Sequence, residues 1–460
     1  MVKKFIFLVG ISLGLALASM KAGLDRHQAI AIAIFSASIL GTLFFWDFRL
    51  SFAFLGTSLL LITRTIDLEN VIKFASLEVI LFLVGMMVLV GLLKETGFFA
   101  WMVQLILRVR KMSGVKFVII ISGASALLSA MTSEVVSIIF IVAAVFEICD
   151  YFEVDPVPYL IIAVLTTNIG SAATLLGNPI GILIASKAGL TFEDFLMKAF
   201  PIAMICLGSA VFLLVVWFRK SIRQMDERIK EMGANEILIK LISVPPGKEL
   251  KIGLAIFGAT LFFISLHHRL ELLWKLEPNT ILLTMPLLSS GCVMIWKWQK
   301  AREYIEKDVE WWTLLFFMLL FAQAGTLKYT GATDVLAKRL IGLTGSNVNI
   351  LTGLILWIST IGSSILDNVV LVAALIPVVQ SFKGLGSSVQ PLWWALLFGG
   401  CLGGNITLVG STANIVALGI LEKEKNIRMT FFRWFWVGLA VGILTTVIVW
   451  VVLLISPIYH

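Results

Sequence analysis

Two carboxylates stand where an apolar chain gives them no solvent. Glu134 lies in "SAMTSEVVS" (129–137) and Asp367 in "SSILDNVVL" (363–371), each inside a stretch that is otherwise mainly hydrophobic. A carboxylate at membrane depth is costly and marks a functional site by default. It needs a cation, a proton or hydrogen-bond donors to compensate it. Oxygen-bearing side chains surround both: Ser129, Thr132 and Ser133 beside Glu134, and Ser363, Ser364 and Asn368 beside Asp367. Two further polar runs, "TTNIGSAATLLGNP" (166–179) and "GGNITLVGSTAN" (403–414), interrupt apolar stretches of their own. The first supplies Asn168, Gly170, Ser171, Thr174, Gly177 and Asn178. The second supplies Gly404, Asn405, Thr407, Gly410, Ser411, Thr412 and Asn414. Breaking a helix there frees carbonyls, which together with Asn, Ser and Thr oxygens suit Na⁺. It also creates half-helix N-termini, whose partial positive charge suits anions. Together these residues read as an ion- and substrate-binding set. The plainer readings are glycines that only permit close helix packing and a Glu134 that is a structural hydrogen-bonding partner.

The surroundings explain why such residues stand out. The chain has 460 residues, 59% hydrophobic and 14% charged, with a mean hydropathy of +1.00. Soluble chains are nearer a quarter charged. Runs such as 77–93, 200–218 and 431–455 have about the 20 residues needed to cross a bilayer. The expected fold is therefore an all-α polytopic membrane protein, multi-pass in the plasma membrane, or in the inner membrane of a bacterium. The net charge of +8 implies no nucleic-acid partner, because the basic residues cluster in loops such as "FRKSIRQMDERIK" (218–230). That loop is read as cytoplasmic, by the positive-inside rule. The N-terminus, with two Lys, an apolar core and small residues near Ala18 and Ala22, has the form of a signal peptide. It is read as an uncleaved first span. Four scattered Cys and four His make no CxxC and no metal cluster, and no GxxxxGK[ST] loop is present. An enzyme, a metal site other than one for Na⁺, and ATP drive by this chain are not expected.

The chain also repeats itself. "LLKETGFFAWMVQLI" (92–106) matches "TLKYTGATDVLAKRL" (326–340) at an offset of 234 residues, and the same offset carries Ser129 onto Ser363. At an offset of 233, "TLLGNP" (174–179) falls on "TLVGST" (407–412). Each half reads as an apolar span, an "LK.TG" block, an amphipathic segment, a hairpin with a polar tip, a broken span and a closing span. The tips are expected near Ser129–Glu134 and Ser363–Asn368; Gly170, Gly177, Pro179 and Gly181 are expected to loosen the first broken span, and Gly399, Gly400, Gly403, Gly404 and Gly410 the second. Paired, interrupted segments in two halves point to a transporter's binding site. The layout is 1–50 as N-terminal spans, 51–218 as the first repeat, 219–250 as a cytoplasmic linker and 251–456 as the second repeat. The repeats are expected to be inverted.

The segments 166–196, 363–379 and 403–424 resemble the ion transporter superfamily. That group holds the arsenite permeases, D-type sodium/proton antiporters, citrate transporters and the melanosomal P protein, and it is related to the divalent-anion/sodium symporters. The resemblance covers roughly residues 50–456. It implies ten to eleven spans, two re-entrant hairpins, elevator-type alternating access and, frequently, a homodimer. The tips "MTSEVV" and "ILDNVV" lack the Ser-Asn-Thr of the sodium/dicarboxylate branch, and "GNPIG" (177–181) replaces the "GDPPN"-like run of citrate and arsenite relatives. The expectation is secondary transport of a small anion, arsenite-type or organic, coupled to H⁺ or Na⁺ at Asp367 and Glu134, with no other cofactor. Sodium/proton antiport, and from another class a membrane enzyme or complex subunit, stand as alternatives.

Overall fold

Without water, a backbone can satisfy its polar groups only by closing hydrogen bonds within its own segment, so each long apolar run becomes a helix. The computed structural model describes residues 2–21, 23–45, 48–98, 101, 112–231, 247–344, 347–384 and 389–459. Among these residues every regular element is helical. Eight helices are long and apolar enough to cross a bilayer. Two bent pairs, Lys248–Ser265 with His267–Trp274 and Thr280–Trp296 with Trp298–Asp308, raise the number to ten. This is the lower end of the expected range. The expected amphipathic segment after Gly97 lies largely outside the described residues, as do residues 232–246 of the expected linker. The part of the linker that is described begins with a polar helix, Arg219–Glu231.

The two halves follow one plan. Leu77–Glu95 and Trp311–Tyr329 lead. The first hairpin has arms Gly114–Met131 and Glu134–Tyr151, and the second has arms Val348–Ile365 and Asn368–Gly384. The broken spans are Val157–Ser171 with Pro179–Ala188, and Gln390–Gly403 with Thr412–Lys425. Phe192–Trp217 and Phe431–Ile455 close the halves. The chain turns between hairpin arms at Thr132–Ser133 and at Leu366–Asp367, inside both expected tips.

Two observations fix how the halves relate. Leu77–Glu95 packs on Thr280–Trp296, while Trp311–Tyr329 packs on Arg49–Ile62. Such an exchange of corresponding partners is what a two-fold axis produces. Five crossings separate the start of Leu77–Glu95 from the start of Trp311–Tyr329. They are Leu77–Glu95 itself, Phe192–Trp217, the bent pair from Lys248 and Thr280–Trp296, and the first broken span, whose short helices Val157–Ser171 and Pro179–Ala188 are taken together as one crossing. A hairpin contributes an even number whichever way it runs. Five is odd, so by this count of the described residues the second half runs inverted to the first.

The glycines correct one expectation. Gly170, Gly399, Gly400 and Gly403 do not break their spans, because all four lie within regular helix. The breaks fall later, at 172–178 and 404–411. Gly170 instead lets its helix touch the first hairpin arm: a Cβ there would stand 2.3 Å from Ala126 Cα. Gly403 does the same in the second half, where a Cβ would stand 2.3 Å from the Thr360 carbonyl oxygen. An exposed helical Gly→Ala change normally stabilises by up to about 1 kcal/mol. Here Gly170→Ala is expected to destabilise by roughly 1–3 kcal/mol through overpacking against backbone. Gly419→Ala, with open space at its Cβ, should be neutral or stabilising. Melting curves of the two variants in detergent check this, and equal shifts would contradict the packing role.

Candidate ion and substrate site

The hairpin tips and the helix breaks converge, and hydrogen bonds show how. Each broken span is tied to its own hairpin by the same bond: Thr174 Oγ1 donates to the Ala130 carbonyl, and Thr407 Oγ1 to the Ser364 carbonyl. The half-helix after each break is capped by a side chain. Asn178 accepts from the Gly181 amide at 3.0 Å, and Ser411 from the Ala413 amide at 3.2 Å. An Asn or Ser in this position satisfies an amide that the helix leaves without a partner.

The halves are then bonded to each other. Asn168 Nδ2 donates to Asn405 Oδ1 and to Asn414 Oδ1, both at 2.9 Å, and Asn168 Oδ1 accepts from Ser411 Oγ at 3.1 Å. Asn414 Nδ2 reaches back to the Gly404 and Thr407 carbonyls, at 2.7 and 2.9 Å. Asn178 Nδ2 donates to Ser171 Oγ at 2.9 Å and to Cys401 Sγ at 3.1 Å. At the offset of 233, Asn178 corresponds to Ser411 and Asn168 to Cys401. The contacts Asn178–Cys401 and Ser411–Asn168 are therefore the same contact, exchanged between halves. Cys401 is a hydrogen-bond acceptor in this network.

The carboxylates sit on either side of this network. Glu134 is 2% exposed. Its amide donates to the Gly177 carbonyl at 3.0 Å. Its Oε1 accepts from Asn368 Nδ2 at 3.2 Å and from Ser411 Oγ at 3.4 Å. Glu134 and Asn368 are corresponding residues, 234 apart, so the two tips meet on the axis itself. Glu134 Oε2 has no hydrogen-bond partner, and neither has the buried Ser129 Oγ. Asp367 caps the second arm of its hairpin. Its Oδ1 accepts from the Val369 and Val370 amides at 3.0 and 3.4 Å, and its Oδ2 from Thr412 Oγ1 at 2.7 Å. Asp367 also lines a cavity of about 250 Å³ between the second tip and the C-terminal turns of Arg26–Phe44, with Thr42 and Val409 on its walls.

Not every expected residue faces this centre. Ser363 and Ser364 donate to the Gly400 and Ile361 carbonyls, both at 2.6 Å, and serve the backbone. Thr132 Oγ1 pairs with Ser137 Oγ and donates to the Leu128 carbonyl. Gly177, Gly404 and Gly410 lie in the breaks, where chain approaches chain too closely for a side chain. Sequence reasoning passed over Arg49, which is buried and within electrostatic reach of Asp367. A single Arg bordering an apolar run reads as an interfacial residue, and nothing local marks it otherwise. No group of His, Cys, Asp and Glu among the described residues could hold a metal ion.

Comparison with known proteins follows this geometry. The model of a family described as "Citrate transporter" matches residues 43–399. An uncharacterized transporter of Mycobacterium tuberculosis is 33% identical over 352 residues, covering 75% of this chain and 78% of its own length. The human P protein is 28% identical and covers 80% of this chain, which matches only 52% of the P protein. Among solved structures, the YdaH transporter of Alcanivorax borkumensis aligns with a TM-score of 0.54 at 17% identity, covering 84% of this chain and 86% of its own. That likeness supports the fold alone. A family match that takes in both hairpins and the first broken span, on a bundle with paired breaks at its centre, makes this chain a multi-pass membrane transporter and a member of the citrate transporter family.

Proposed function

We propose that the chain is a secondary transporter of a small anion, driven by H⁺ or Na⁺ that binds at Glu134 and Asp367. The observation that carries this reading is the buried Glu134 carboxylate: no hydrogen bond closes on its Oε2, the Ser171 and Asn178 side chains stand near it, and Asp367 is in electrostatic reach. Two carboxylates held this way favour a bound proton or cation, since the bonds present do not neutralise both. The N-termini of Pro179–Ala188 and Thr412–Lys425, with the partial positive charge of a helix start, lie beside this network, which supports an anion as cargo. A cavity of about 250 Å³ falls below the usual size of organic-ligand pockets and supports a small one.

In this reading the hairpins and broken spans move as one body, tied by the bonds around Asn168. They move against Arg49–Ile62, Leu77–Glu95, Thr280–Trp296 and Trp311–Tyr329, in an elevator-type cycle. A second reading, sodium/proton antiport, is favoured by one observation: Asp367 is the sole ionisable residue among the described residues lining its cavity. Purified protein in liposomes separates the two. Radiosodium uptake, proton flux and uptake of citrate, other carboxylates and arsenite would be scored under imposed gradients. The first reading expects uptake of one anion that accelerates with an H⁺ or Na⁺ gradient. Sodium/proton exchange without any anion would replace it with the second.

Two variants probe the carboxylates. Asp367→Asn keeps the shape and removes the charge, so it should stay monodisperse and lose gradient-driven uptake by at least about tenfold, roughly 1.4 kcal/mol of driving interaction. Wild-type rates with unchanged pH and Na⁺ dependence would remove Asp367 from the mechanism. Glu134→Gln should likewise lose the response to the gradient while its melting temperature holds or rises, because it replaces a buried charge whose second oxygen has no partner. A fall in melting temperature on the scale of a broken buried ion pair, about 3–5 kcal/mol, would make Glu134 a structural residue.

A further inference from the structure

Arg49 is a buried cation within electrostatic reach of Asp367. It opens the helix Arg49–Ile62, which packs on Arg26–Phe44: Ser38 Oγ donates to the Phe52 carbonyl at 3.2 Å, and the Phe52 ring lies against Gly41. Arg49 precedes Phe52 by about one turn, so it stands beside the residues that follow Gly41, where Thr42 and Leu43 line the cavity of Asp367. Its guanidinium is anchored on its own side, donating to Thr313 Oγ1 at 3.4 Å and lying 5.4 Å from the centre of the Phe316 ring. Among the described residues, Asp367 and Glu310 are in electrostatic reach of it, and Arg49 and Glu134 are in electrostatic reach of Asp367. Arg49 and Glu310 belong to the helices of the fixed body, and Asp367 to the hairpin that moves.

The pairing has no counterpart across the two-fold axis. The residue 234 positions after Arg49 is Leu283, and the residue 234 positions before Asp367 is Ser133. In a molecule that repeats its contacts across a two-fold axis, both members of this pair break the symmetry together. An inverted repeat exchanges the environments of its halves when it moves between its two open states. The attraction between Arg49 and Asp367 therefore belongs to one of these states.

We propose that Arg49 is the resident countercharge of Asp367, which the coupling cation or proton must displace, and that it thereby sets the affinity of the coupling site. This rests on the reading of Asp367 as that site. Binding of a proton or Na⁺ at Asp367 cancels the attraction and releases the hairpin from the fixed body; loss of the ion restores it. Arg49 is a positioning residue in this account, acting through Asp367.

The test is the ion dependence of uptake in liposomes, measured as the half-saturating Na⁺ concentration and as the pH profile, for wild type, Arg49→Gln and Arg49→Lys. Arg49→Met, which keeps an apolar stem, serves if the Gln variant does not fold. Removing the positive charge should strengthen the coupling site: roughly a tenfold lower half-saturating Na⁺ concentration, or a pH profile moved by about one unit to the alkaline side. Arg49→Lys should stay close to wild type. Neutral variants with unchanged or weaker ion affinity would overturn the proposal while leaving Asp367 as the coupling site. A wild type with no Na⁺ or pH dependence at all would overturn both that reading and this one.

Discussion

The cost of keeping polar groups away from water governs this structure. An apolar bundle gives Glu134, Asp367 and the paired Asn, Ser and Thr side chains few partners besides one another and the backbone. The chain therefore gathers them at one place, where Asn168 alone holds Asn405, Asn414 and Ser411. The broken spans serve the same need, because an interrupted helix frees amides and carbonyls for side chains at that depth. What the network leaves without a partner, Glu134 Oε2 above all, is where an exchangeable ion has most to gain.

Two-fold inversion repeats this arrangement. Corresponding residues Glu134 and Asn368 meet on the axis, and Asn178–Cys401 repeats as Ser411–Asn168. A centre built this way can be approached from either membrane face by equivalent routes. The departures from symmetry are then as informative as the symmetry. A carboxylate at one tip stands opposite an amide, Glu134 against Asn368. Asp367 has Ser133 as its counterpart, and Arg49 has Leu283. Direction and coupling are read most economically from these unequal positions.

Much of this was legible in the sequence, for identifiable reasons. Polar outliers stand out against an apolar background, so the tips and breaks could be located to within a few residues. A repeat at an offset of 233–234 residues revealed the two halves without any structure. The parts that were not legible involve distance along the chain. Nothing near residue 168 says that its amide will bond to residues 405 and 414. Nor does the run around Arg49 say that it faces a hairpin more than 300 positions away. The glycines misled for a related reason: the same residue loosens a helix or lets two helices touch, and only the neighbour, such as Ala126 against Gly170, decides which.

Infrared difference spectroscopy of the lipid-reconstituted protein reads the carboxyl groups themselves. On a pH step, or on adding Na⁺, wild type should show a change in carboxyl absorption that is absent from the double variant Glu134→Gln/Asp367→Asn. A wild type whose carboxyl bands stay still under both treatments, or a double variant that responds as wild type does, would contradict the assignment of ion coupling to this pair.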